Sequence, residues 1–214
     1  NGKTLFVANA NDNSVSVIDL EKGKEIEVLN AALFPNSLEG SSTNGIALSE
    51  DEEKLYIANA DNNCLAVFEV EDLGKSKSLG FIPVGWYPTQ VKVVNGTVYV
   101  ANGKGFSSFA NPKGPNPVVK AQTVTYQKSD NNRAVRNEYI GGLMKGTMSI
   151  FPEPSSADMA ILSKAVYQNT PYTKAGELNA KGEKGNPIPM KVGEKSPIKY
   201  VFYILKENRT YDQV

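Results

Sequence analysis

Over the first hundred residues, apolar positions alternate with polar or small ones in short stretches, and the stretches themselves recur. Leu5-Phe6-Val7-Ala8-Asn9-Ala10-Asn11-Asp12-Asn13-Ser14-Val15-Ser16-Val17 aligns without a gap on Leu55-Tyr56-Ile57-Ala58-Asn59-Ala60-Asp61-Asn62-Asn63-Cys64-Leu65-Ala66-Val67, 50 positions later. A third copy starts at Val98-Tyr99-Val100-Ala101-Asn102-Gly103. Alternation with a period of two is that of a β-strand, whose successive side chains point to opposite faces. The Asn/Asp cluster closing each copy suits a tight reversal, because both residues tolerate the left-handed region and bond to their own backbone. Neither cluster has the ligand spacing of an EF-hand or β-roll calcium loop, so both read as turns.

Four strands fit one repeat: A near 45–48, B near 55–59, C near 64–69 and D near 78–84, with the acidic turn Ser49–Lys54 joining A to B. Short antiparallel strands in units of about 40–50 residues are the mark of a propeller blade. A complete blade is thus expected over Asn44–Val84, with strands B to D of the preceding blade in residues 1–30.

The third copy is interrupted. Gly85–Val93 and Val98–Asn102 give strands A and B, joined by the two-residue turn Asn95-Gly96, a sequence that favours a hairpin. Strand C does not follow; residues 103–140 are rich in Gly, Asn, Pro, Ser and Lys, and the pattern resumes at Gly146–Phe151. Loops of this length are functional or disordered more often than not, so the insertion either overlies one face of the propeller as part of a ligand site or packs on a neighbouring domain. Trp86 and Tyr87, at the start of this repeat, are expected to pack in the core or at the rim, with ligand stacking as the alternative.

Pro154-Ser155-Ser156 with Asp158 forms a helix start, and Met159, Leu162 and Val166 fall on one stripe, predicting a helix that ends near Tyr167. No strand D follows strand C, so the last blade is expected to take its fourth strand from a segment preceding residue 1. Lys174–Ser196 reads as a linker, and Ile198-Lys199-Tyr200-Val201-Phe202-Tyr203-Ile204-Leu205 as a strand buried on both faces of a parallel sheet. Polar residues just past such a strand are where α/β domains place ligands; here they are Lys206-Glu207-Asn208-Arg209, which on pattern alone read more readily as a solvated loop.

Composition removes several chemistries. The sequence has no His and a single Cys, Cys64, which excludes Ser-His-Asp and Cys-His catalysis, His-ligated zinc and an internal disulfide within it. Its formal net charge is zero, against the basic excess a phosphate-neutralising nucleic-acid binder needs. No apolar run reaches the roughly 18 residues of a membrane span.

The repeats, with Leu-Tyr-Ile-Ala-Asn-Ala-Asp-Asn-Asn at 55–63, resemble the YVTN β-propeller family. Gly-Trp-Tyr-Pro-Thr at 85–89, Val-Ala-Asn-Gly-Lys-Gly at 100–105, Tyr-Ile-Gly-Gly-Leu-Met-Lys-Gly-Thr at 139–147, Pro-Ile-Pro at 187–189 and the whole of 196–214 narrow the likeness. Together they resemble bacterial proteins in which a YncE-like propeller is fused to a phosphoesterase of the alkaline-phosphatase superfamily. The resemblance implies that the Lys-Glu-Asn-Arg strand opens a hydrolase domain, that Glu207 and Asn208 belong to its metal and phosphate site, and that Arg209 assists an anionic substrate. It implies divalent metal ions (zinc, manganese, magnesium or calcium) as cofactors of the whole protein, and none in the propeller. It also implies export to the periplasm, the outer-membrane surface or the exterior, with a protein or envelope partner. Tyr200 departs from the His common in that family. The nucleophile and remaining ligands of such enzymes lie downstream of residue 214.

The expected organisation is therefore mainly β. Propeller blades occupy 1–153 with an inserted loop at 103–140. A helix and extension follow over 154–173, a linker over 174–196, and the start of an α/β phosphoesterase domain over 197–214. A seven-bladed ring needs roughly 300 residues, so a partial propeller is expected, lacking its nucleophile and inactive alone. The competing expectation is an exported or surface propeller that binds without hydrolysing, and a lactonase-like sugar-acid enzyme is a third.

Overall fold

A computed structural model of the chain describes residues 2–35, 37–106, 144–170, 176, 182–191 and 193–205. Among the described residues the regular elements are β1 Thr4–Asn9, β2 Ser14–Asp19, β3 Lys24–Asn30, β4 Thr43–Leu48, β5 Lys54–Asn59, a 3₁₀ turn at Ala60–Asn62, β6 Cys64–Glu69, β7 Lys77–Pro83, β8 Trp86–Val94, β9 Thr97–Gly105, β10 Thr147–Pro152 and helix α1 Ser156–Asn169. They form three antiparallel sheets, in the orders β1-β2-β3, β4-β5-β6-β7 and β10-β9-β8. These are the blades read from the repeats, the central one complete. The repeat extends to irregularities: β2/β3 shifts register at Val17/Ile18 and β6/β7 at Val67/Phe68. Asn13 and Asn63 occupy the same turn of successive blades at φ 52° and 54°, the left-handed conformation for which Asn is suited.

The central blade is buried on both faces, which explains why its strands are the most apolar. Leu55, Ile57, Cys64, Ala66 and Phe68 pack against Val15, Val17 and Leu29 of the first blade. The alternate residues Tyr56, Ala58, Leu65 and Val67 pack against Val91, Val93, Val98 and Val100 of the third. At the inner strands the blades approach at backbone distance: a Cβ on Gly45 would lie 2.7 Å from Gln90 Cα and 2.8 Å from the Thr89 carbonyl oxygen. Buried between the second and third blades, the Tyr56 hydroxyl donates to a Glu153 carboxylate oxygen at 2.8 Å. Burial and that bond hold the phenol well above its ordinary range.

The third blade is split as expected. β9 ends at Gly105 and β10 begins at Thr147, yet the two pair from Thr147↔Asn102 to Pro152↔Thr97. The hairpin at Asn95-Gly96 has φ 49° and 65°, the paired positive values of a type I′ turn. Helix α1 runs two residues past the expected end, and Ser155 and Asp158 form a reciprocal capping box. What the stripe did not reveal is where the helix docks. It lies along β7, the outer strand of the central blade. There the Ser163 hydroxyl accepts from the Phe81 N–H at 2.8 Å and donates to the Phe81 carbonyl at 3.3 Å. Met159 and Val166 enter the two inter-blade cores, and the Tyr167 hydroxyl donates to the Leu33 carbonyl at 2.8 Å. The helix thus covers an otherwise open sheet edge and ties it to the first blade.

One expectation is corrected. Residues 198–205 form no strand, and Val201 and Phe202 are 83% and 91% exposed. A strand buried on both faces needs a neighbour on each side, and no described residue pairs with this run. The linker expected over 174–196 is described only in part, and most of the expected loop at 103–140 lies outside the described residues.

Candidate ligand-binding site

Antiparallel blades put their B–C turns and D–A connections at one end. That end gathers the segment after β3, the turn Ala60–Asn63, the connection Val84–Gly85 between β7 and β8, the two ends of the split blade at Gly105 and Thr147, and the C-terminal turn of α1. An amide at each B strand's end anchors this face, buried in the second and third blades and half-buried in the first. Asn59, fully buried, donates to the Ala31 carbonyl at 2.6 Å and accepts from the Thr43 hydroxyl at 3.1 Å. Its counterpart Asn9 donates to the Ser14 and Ser16 hydroxyls at 3.1 and 2.9 Å. Asn102 donates to the Ser149 hydroxyl at 3.0 Å, but its buried Oδ1 has no partner. The register explains the difference: Thr43 opposes Asn59, whereas Pro88 opposes Asn102 and brings no donor.

Between the second and third blades this face opens into a cleft of about 510 Å³. Leu33, Val84 and Val166 supply apolar lining; Asp61, Asn62, Asn63 and Asn169 supply polar groups; Trp86 and Phe106 supply aromatic surface. The corresponding junction one blade earlier is filled. There Ser41, buried, donates its N–H to Asn13 Oδ1 at 2.7 Å, and its hydroxyl accepts from Asn62 Nδ2 at 2.8 Å. Ser41-Ser42-Thr43 of that junction corresponds to Trp86-Tyr87-Pro88 of this one, since Thr43 and Pro88 oppose equivalent asparagines. Trp86 remains 38% exposed, so it sits at the rim and lines the cleft instead of filling a core. Tyr87 repeats the left-handed backbone of Ser42, with φ 63° against 50°. That conformation costs a bulky residue on the order of 1–2 kcal/mol. Its N–H donates to Asn63 Oδ1 at 2.9 Å, and the Lys104 ammonium stands 4.2 Å from its ring centroid.

Glu207, Asn208 and Arg209, the expected metal and substrate residues, lie outside the described residues. Among the described residues, no group of three or more Cys, Asp or Glu side chains converges as a metal site. No described helix is long and apolar enough to cross a membrane. Cys64 is buried, and burial pushes its thiol up to about 12, so it is no nucleophile. The turns and strands around the cleft are legible in the sequence; the cleft coincides with the place where Trp86 stands for Ser41, a correspondence that only the strand registers reveal.

Residues 1–106 match the family described as lactonase, seven-bladed β-propeller. An uncharacterised protein of Staphylococcus aureus (strain bovine RF122) is 32% identical over 80 residues, which are 37% of this chain and 23% of that one. One from Staphylococcus epidermidis is 33% identical over 76 residues, 35% of this chain and 22% of that one. This chain therefore spans about a quarter of the length of these relatives. Among solved structures, a Bacteroides uniformis protein described provisionally as a 6-phosphogluconolactonase is 20% identical, with a TM-score of 0.42 over 47% of this chain and 30% of that one. Hydrazine synthase of Kuenenia stuttgartiensis is 24% identical, with a TM-score of 0.39 over 48% and 26%. The narrower likeness to a phosphoesterase fusion draws no support from these matches. Residues 1–106 resemble the lactonase-type seven-bladed propellers, and with the split third blade the chain forms part of a β-propeller fold.

Proposed function

We propose that these blades are the docking module of a larger hydrolase, and that the face bearing the cleft holds a ligand or partner for a metal-dependent phosphoesterase domain opened by residues 197–214. The observation that carries the reading is the third blade. At one place the repeat exchanges a buried serine for an exposed tryptophan, opens a cleft and releases the insertion after Gly105. The phosphoesterase part rests on the Lys206-Glu207-Asn208-Arg209 resemblance alone. In it Glu207 and Asn208 offer hard oxygen donors to a divalent cation, and Arg209 faces the substrate's negative charge. The bound cation would supply Lewis-acid polarisation of a phosphoryl oxygen. On the same reading the protein is exported and meets its partner in the cell envelope.

The test is hydrolysis of an aryl phosphate by the full natural polypeptide. Chelator-sensitive turnover that Glu207→Ala abolishes supports the reading; turnover indifferent to both rejects it. The family match over residues 1–106 favours a second reading, a lactone hydrolase. Metal-independent hydrolysis of a sugar lactone, without phosphoesterase activity, would select it.

A further inference from the structure

We infer that the cleft between the second and third blades binds an organic cation, a primary ammonium or guanidinium group. The inference rests on the cleft being a binding site, and not on residues 206–212. Three features of its lining carry the same electrostatic sign. Asp61 supplies a carboxylate, one of whose oxygens accepts from the Ser42 hydroxyl at 2.5 Å while the side chain stays exposed. Helix α1 ends at Asn169 with Val166, Asn169 and Thr170 on the wall and no basic residue in its last turn. The partial negative charge of a helix C-terminus is therefore not neutralised from within the helix. Trp86 adds an aromatic surface, whose π face attracts cations. Among the described residues, no Lys or Arg lines the cleft. The Lys104 ammonium, beside Gly105, is held over the Tyr87 ring. A phosphorylated or carboxylated ligand would meet a carboxylate and a helix C-terminus with no counter-charge among the described lining residues. A neutral polyol would leave the one-sided field unused.

This sequence carries its own reporter, because Trp86 is its sole tryptophan. Intrinsic fluorescence of the full chain would be titrated with agmatine, spermidine, a blocked Gly-Lys-Gly peptide, glucose and inorganic phosphate. A saturable change with the amines or the peptide, absent for glucose and phosphate, is expected. Asp61→Asn keeps an oxygen for the Ser42 hydroxyl and removes the charge; it should weaken binding about tenfold, as should raised salt. Circular dichroism of the variant verifies that the fold is retained. Spermidine binding without the peptide identifies a free amine, and the reverse identifies a basic side chain; both support the inference. Glucose or phosphate binding without the amines overturns the cation inference and leaves the cleft a binding site. Silence towards every probe, or amine affinity unchanged in Asp61→Asn, overturns the inference as well.

Discussion

Asn59→Ala should be the most costly single amide deletion in the propeller, and the repeats supply its controls. Asn59, Ala31 and Thr43 are all fully buried. The amide joins the segment leaving the first blade, through the Ala31 carbonyl, to strand A of the second, through the Thr43 hydroxyl. Deletion leaves both groups in the core without that partner, at roughly 1–3 kcal/mol for each unsatisfied group. A loss of about 3 kcal/mol is expected. Asn102→Ala removes a residue whose Oδ1 has no partner and whose amide donates to Ser149 at 3.0 Å, for a loss of about 1 kcal/mol. Asn9 is half-buried, and of the two serine hydroxyls it bonds, buried Ser14 keeps its bond to Asp12 while Ser16 is half-buried, so Asn9→Ala should lie at or below that figure. Urea unfolding followed by far-ultraviolet circular dichroism yields the three values from midpoint and slope. Equal losses for Asn59→Ala and Asn102→Ala would refute the claim that Thr43, absent from the third blade's register, makes the difference.

Three further outcomes follow from the packing. Gly45→Ala should destabilise by about 2–3 kcal/mol, since its Cβ would meet the Gln90 and Thr89 backbone within 2.8 Å; the same urea titration measures it. Ser163→Ala should cost about 1–2 kcal/mol and speed amide exchange at Phe81, whose N–H the serine oxygen accepts at 2.8 Å. Cys64 should resist a thiol reagent in the native protein and react in urea. Its folded value of about 12 exceeds the ordinary 9.0, so the native state keeps a proton that the unfolded state releases. Stability is therefore lost as pH rises above 9, progressively towards 12, and Cys64→Ala should shallow that slope.

The blades were legible because each repeat carries its own evidence: Leu55–Asn59 alternates, Asn63 turns the chain, and Asn95-Gly96 demands positive φ. The helix was legible through Ser155 and Asp158, but its docking was not, because Ser163 and Tyr167 look like surface residues until Phe81 and Leu33 are placed beside them. Trp86 was expected at core or rim; only superposing its junction on that of Ser41 showed that it lines an opening. Ile198–Leu205 has the composition of a buried strand but no sheet partner among the described residues, and composition cannot provide one. The roles assigned to Glu207, Asn208 and Arg209 rest on resemblance and await the phosphate hydrolysis assay.

The account stands on β9 and β10 being strands B and C of one blade, with the insertion leaving from the cleft face. Cross-linking tests this most directly. Ala101 and Met148 are register partners, and both face the same side of the sheet, at a separation a disulfide can span. In a Cys64→Ala background, Ala101→Cys with Met148→Cys should cross-link under mild oxidation, and Ala101→Cys with Ile150→Cys, offset by two residues, should not. Cross-linking of the offset pair, or of neither, would mean that the third blade does not resume at Thr147 and that the split-blade architecture is wrong.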